Sequence, residues 1–172
     1  MKIFLTSVIT AALAGVTFAQ TDSTHLAGRE NKTPGPPGYT QVGDNDRAIQ
    51  QAVRNARHSL GFFIAVMKAK KADDSGFEVK KAFVDGNKVE HLWIGDLSFD
   101  GQNFHGRINN RPIDVHNVKL GQKVTFAPRE VSDWMFVKNG KLMGGYTTRV
   151  LYARLSAKDR AEFDKKADFK ME

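Results

Sequence analysis

The chain has 172 residues, a formal net charge of +7, 41% hydrophobic residues, twelve phenylalanines and no cysteine. Its length suits one domain with a single core, and the missing cysteine excludes disulfides, thiol catalysis, thiolate metal sites and lipid attachment. The basic excess is thin: residues 44–86 carry +2 and residues 138–172 carry +4, while 20–43 and 87–137 balance to zero. That distribution argues against nucleic acid, which calls for a cationic face interleaved with aromatics, and leaves weak attraction to an anionic surface or an acidic protein.

The N-terminus reads as an export signal. Lys2 precedes an uncharged apolar run over residues 3–18, and the small residues Thr17 and Ala19 place a cut between Ala19 and Gln20. The run is shorter than the roughly 20 residues a membrane span needs, and no later stretch approaches one. The expectation is a periplasmic or secreted protein without stable membrane insertion after signal cleavage. Residues 20–43, with Pro34, Pro36 and Pro37, read as a disordered linker too poor in apolar side chains to dock. Residues 44–172 form the single globular domain.

Asp44, Asn45 or Asp46 can cap a helix. Ile49, Ala52, Val53, Ala56, Leu60, Phe63, Ile64 and Met67 then recur at the spacing of one buried face, predicting a single long helix that ends at Asp73-Asp74-Ser75-Gly76. Gly61 within it reads as a close packing contact. The runs 77–84, 89–99 and 102–108, separated by turns at Asp85-Gly86 and Asp100-Gly101, predict an antiparallel meander. Another strand is expected over 118–126, and Asn139-Gly140 marks a further hairpin. Residues 147–155 lean helical, and Ser156 with Asp159 opens a last helix. The fold class is α+β: a long N-terminal helix packed on a curved antiparallel sheet, with a short helical C-terminus.

Three motifs occur in a fixed order: Glu90-His91-Leu92-Trp93-Ile94 with Phe104-His105-Gly106-Arg107-Ile108-Asn109-Asn110-Arg111-Pro112, then Val131-Ser132-Asp133-Trp134-Met135, then Gly144-Gly145-Tyr146-Thr147-Thr148-Arg149. Together with the preceding Ala56-Arg57, they resemble the bacterial family of domain of unknown function 2314, over about residues 46–155. The resemblance implies no established activity, catalytic residue or ligand. Arg111 departs from it, since the family pattern has an acidic residue before the proline.

The residues offer two constellations. Glu90, His91 and Asp133 could supply acid–base chemistry, with His91 as the base, but neighbours on a strand point to opposite faces, so Glu90 and His91 cannot share a cleft without a bulge. Trp134, Gly144, Gly145, Tyr146, Thr147 and Arg149, with Asp133 and Trp93, could form a binding surface. There the aromatic rings would stack on a ligand, and a helix starting near Thr147 would offer free N–H groups to an anion beside Arg149. The plainer alternative makes Trp93 and Trp134 core anchors, Asp133 a cap and the glycines permissive turns. His91, His105 and His116 lack metal-ligand spacing, so neither metal nor cofactor is expected. The leading expectation is a non-enzymatic periplasmic binding module whose partner is a protein or an anionic envelope ligand. The alternatives are an envelope-polymer hydrolase using His91 and Asp133, and an immunity-like protein or inhibitor.

Overall fold

The computed structural model describes residues 46–69 and 71–171, together with the backbone of Ala19–Gln20. The rest of the expected leader (1–19) and linker (20–43) lies outside the described residues. Asp46 opens the ordered domain by accepting the N–H groups of Ala48 and Ile49, at 3.1 and 3.2 Å. The same carboxylate pairs with Arg154, far along the chain.

The expected long helix is two helices, α1 (Arg47–His58) and α2 (Leu60–Ala69), broken at Ser59. In a continuous helix the Ala56 carbonyl would accept the Leu60 N–H. Here the indole Nε1–H of Trp134 donates to that carbonyl at 2.9 Å, and the Ser59 hydroxyl bonds the carbonyls of Asn55 and Ala56. A tertiary donor thus competes with the helical ladder. Gly61 is not a close contact, because a Cβ there would meet nothing within 4 Å.

The strands are β1 (Ala19–Gln20), β2 (Asp74–Asp85), β3 (Lys88–Phe99), β4 (Phe104–Ile108), β5 (Lys123–Phe126), β6 (Val131–Lys138) and β7 (Lys141–Gly144). The antiparallel order is β5-β4-β3-β2-β6-β7, with β1 paired to β3 opposite Glu90 and Val89. The meander therefore grows on one side of β2, and the β6–β7 hairpin closes on the other. Asn139 (φ 51°) and Gly140 (φ 74°) make the left-handed two-residue turn of that hairpin. Register shifts at Gly95/Ser98, Ser75/Glu78 and Lys80/Lys81 mark bulges, which bend strands.

Helices α1 and α2 cover one face. Phe63 sits at the centre, with the rings of Phe77, Phe104, Trp134 and Phe136 at centroid distances of 5.3–6.5 Å. The opposite face buries Trp93, Met135 and Leu142 beneath Phe163, Phe169 and Met171 of the C-terminal stretch. That stretch follows α3 (Tyr146–Arg154) and contains α4 (Ala157–Lys166), whose N-cap Ser156 accepts the Asp159 N–H. Both C-terminal helices agree with expectation.

Gly144 and Gly145 lie where the chain turns from β7 into α3, both with positive φ. A Cβ on Gly144 would fall 2.3 Å from the Trp134 carbonyl oxygen and 2.4 Å from its ring, whereas one on Gly140 would meet nothing within 4 Å. Gly144→Ala combines overpacking with left-handed strain and should cost about 2–5 kcal/mol, against about 1–2 kcal/mol for Gly140→Ala. Urea unfolding of the two variants measures the difference.

Candidate functional site

On β6, Asp133 and Trp134 point to opposite faces and each anchors a helix. Asp133 is fully buried. Its Oδ1 accepts the N–H groups of Trp134 (2.8 Å) and Tyr146 (3.1 Å), and its Oδ2 accepts the Thr147 N–H (2.8 Å) and hydroxyl. The formal N-cap of α3 is Gly145, which has no side chain to cap with. Asp133 does that work from the neighbouring strand. The helix end expected to offer N–H groups to an external anion is thus occupied by an internal one.

The counter-charge was not anticipated. Lys80 on β2, directly opposite Asp133 in the register, is fully buried; its Nζ donates to Thr147 Oγ1 at 2.9 Å and lies 4.3 Å above the Trp93 ring. Burial pushes the Lys80 ammonium down to about 8, with Asp133 and Glu78 pulling it back up. Burial pushes the Asp133 carboxyl up, opposed by Lys80 and by the Thr147 bonds. Glu78, two residues from Lys80 on the same face, is raised to about 7 by burial, although Asn109 donates to its Oε1 at 2.6 Å. No local signal marks Glu78 and Lys80, because their alternation with Phe77 and Val79 reads as a solvated strand face. That face is covered only once the C-terminal stretch returns.

Glu90 and His91 do point to opposite sides. Glu90 is fully buried, and its carboxylate accepts the N–H groups of Ile113, Asp114 and Val115 at 2.9–3.2 Å. It holds a loop and reaches no cleft. His91 Nδ1 lies 2.8 Å from Ser132 Oγ, and the Ser132 hydroxyl donates to the Lys80 carbonyl at 3.1 Å. The Ser132 hydroxyl has a single proton, and both His91 Nδ1 and the Lys80 carbonyl lie within its reach. Burial, with Lys80, Arg57 and Lys81 nearby, lowers the His91 pKa to about 4 and keeps the ring uncharged at neutral pH.

The aromatic and arginine cluster is an interior brace. Trp134 is 2% exposed, and its indole bonds Ala56 and Ser59 while meeting Tyr146 edge-on at 5.6 Å. The Tyr146 hydroxyl lies 2.9 Å from Ser59 Oγ. Arg149 donates to the carbonyls of Gly144, Leu142 and Met171, tying α3 to β7 and to the chain end. Trp93 is 3% exposed, and its backbone N–H donates to Asn110 Oδ1. The three histidines considered together lie apart: His105 bonds Asp100 and Thr125, and the His116 backbone N–H bonds Asp85.

The model of the DUF2314 family, described as an uncharacterized protein conserved in bacteria, matches residues 46–171, so the match runs past the expected limit near 155 through the C-terminal stretch. The chain is 35% identical over 117 residues to Uncharacterized protein YegJ of Escherichia coli K12, covering 64% of this chain and 75% of that protein. It is 40% identical over 80 residues to a putative ankyrin repeat protein, NMB1133/NMB1171, of Neisseria meningitidis serogroup B, covering 46% of this chain and 32% of that protein. No solved structure matches.

Two tests follow from this geometry. Trp134→Ala removes a buried ring and should destabilise by about 3–5 kcal/mol in urea unfolding. The second concerns pH. Glu78 at about 7 lies above its ordinary 4.5, so the folded chain holds an extra proton between those values and stability falls as pH rises through them. His91 at about 4 lies below its ordinary 6.5, so the unfolded chain holds the extra proton and stability rises over pH 4–6.5. The two contributions oppose each other in the wild type. The two shifts are of equal size and nearly cancel from pH 4.5 to 6.5, so Glu78→Gln should uncover a gain in stability with rising pH over that range, and His91→Gln a loss.

Proposed function

The chain belongs to the DUF2314 family of bacterial proteins, and we propose that it acts as an exported, non-catalytic binding module of the periplasm. The observation that carries this reading is the engagement of its acid–base candidates. Asp133 gives both oxygens to α3, Glu90 gives both to the loop at 113–115, and His91 shares a hydrogen bond with Ser132 and stays uncharged at neutral pH. A general base must reach the proton it takes, and a nucleophile must keep its proton available to that base. Both Asp133 oxygens are already taken by donors of β6 and α3, and Ser132, 3% exposed, offers a substrate no open approach.

Export is supported by Lys2, the apolar run and the small residues before Gln20. Among the described residues no helix is long and apolar enough to cross a membrane. The matched segment makes up about a third of the Neisseria relative, whose name describes ankyrin repeats. Ankyrin repeats stack into extended binding surfaces, and similarity to part of a protein so named fits recognition better than turnover.

The binding reading and the hydrolase alternative make different forecasts. Protein recovered from periplasm should have the intact mass of a chain beginning at Gln20, and the purified mature chain should release no soluble fragments from peptidoglycan sacculi. Fragment release that His91→Ala abolishes would replace this reading with the enzymatic one. A cytoplasmic, uncleaved product would remove the exported part of it.

A further inference from the structure

We propose that the loop over residues 111–120 is a docking surface for an acidic peptide segment that carries apolar side chains and belongs to another protein. This inference rests on the binding-module reading and names the partner chemistry for it.

The loop is built and held from within. Glu90 accepts three of its backbone N–H groups, Asp85 Oδ2 accepts the His116 N–H at 2.8 Å, and the Asn117 side chain donates to the Val84 carbonyl at 2.7 Å. Val115, 1% exposed, plugs it into the main core. A surface fixed in this way loses little conformational freedom on binding.

The outward side of the same loop has the opposite character. It forms an open groove of about 340 Å³, with Arg111, His116 and Lys119 beside Val118 and Leu120. Leu120 is 50% exposed, and Ile113 and Val84, tied to this end through Glu90 and Asn117, are 37% and 59% exposed. Three of the four large exposed apolar side chains among the described residues thus gather at one end of the molecule.

The charges are sorted between inside and outside. The carboxylates of Glu90 and Asp85 turn toward backbone N–H groups of the loop, and Asp114 is partly buried. Arg111 and Lys119 face outward, and neither forms an ion pair among the described residues, whereas Lys81, Arg107, Arg154 and Lys166 each have an acidic partner. Unneutralised cations flanking exposed aliphatic side chains complement a partner that brings both carboxylates and apolar groups. A purely phosphate or sugar ligand would leave Val84, Ile113 and Leu120 uncovered.

The test uses the mature chain and a fluorescein-labelled peptide of alternating aspartate and leucine, followed by anisotropy at low salt and by amide chemical shifts. Saturable binding is expected, with shifts centred on residues 111–120, and no binding of the matching lysine–leucine peptide. Arg111→Glu combined with Lys119→Glu should weaken binding by about tenfold or more. Leu120→Ser, at a half-exposed position that leaves folding intact, should weaken it as well. The proposal is overturned by no binding, by binding that both variants leave unchanged, or by shifts centred on the arginines of α1. Binding of phosphatidylglycerol vesicles with the same residue dependence, in place of the peptide, also overturns it. None of these failures touches the non-catalytic reading, which sacculus digestion decides.

Discussion

The Asp133 carboxylate is the constraint around which the rest is arranged. A charge removed from water is tolerable only when its lone pairs are met and a counter-charge lies nearby. Asp133 meets both conditions with groups from three elements. Trp134 belongs to β6, Tyr146 and Thr147 to α3, and Lys80 to β2, reached through the Thr147 hydroxyl. Every group touching the carboxylate donates, which favours its ionised form against the burial that opposes it. The direction of α3, the identity of Thr147 and the presence of a lysine in the middle of a covered sheet all follow from this one charge.

Trp134 extends the same control to the other face. Because neighbours on a strand alternate, the indole enters the helical side while the carboxylate enters the C-terminal side. Its Nε1–H takes the Ala56 carbonyl and so divides α1 from α2. Its carbonyl accepts the Gly145 N–H at 2.8 Å, with Gly144 pressed against the ring. Two adjacent residues thus fix a helix break on one side, a helix start on the other, and the paired glycines between them.

Much of the fold was legible in the sequence. The α+β class, the meander, the Asn139-Gly140 hairpin and the two C-terminal helices follow from periodicity, turn residues and Ser156. The division of the N-terminal helix was not legible, because it depends on an indole 78 residues away competing for a backbone carbonyl. Periodicity across Ser59 is unaffected by that competition, so the pattern reads as one helix. Within the candidate site, Asp133, Trp134 and the two glycines were picked out by type and order. Their roles were not, since an aspartate beside a tryptophan reads equally as a ligand group or as a cap. Glu78 and Lys80 escaped altogether: a strand that alternates charged with apolar residues looks half-solvated until a distant segment covers it.

The hydrogen bonds that stitch α1 to the sheet also bear on how quickly the chain can fold. The Arg57 guanidinium donates to the Val131 carbonyl across 74 residues, the Trp134 indole reaches Ala56 across 78, and Asp46 meets Arg154 across 108. Each contact closes a long loop, and the entropy of closure must be met before the contact yields anything. The helices and the meander can form early from local contacts, but the aromatic centre stays incomplete until β6 arrives with Trp134 and Phe136. The domain is therefore built to close late, and it should fold more slowly than helical bundles, whose contacts are local. Until it closes, the chain keeps an open sheet edge and uncovered phenylalanines.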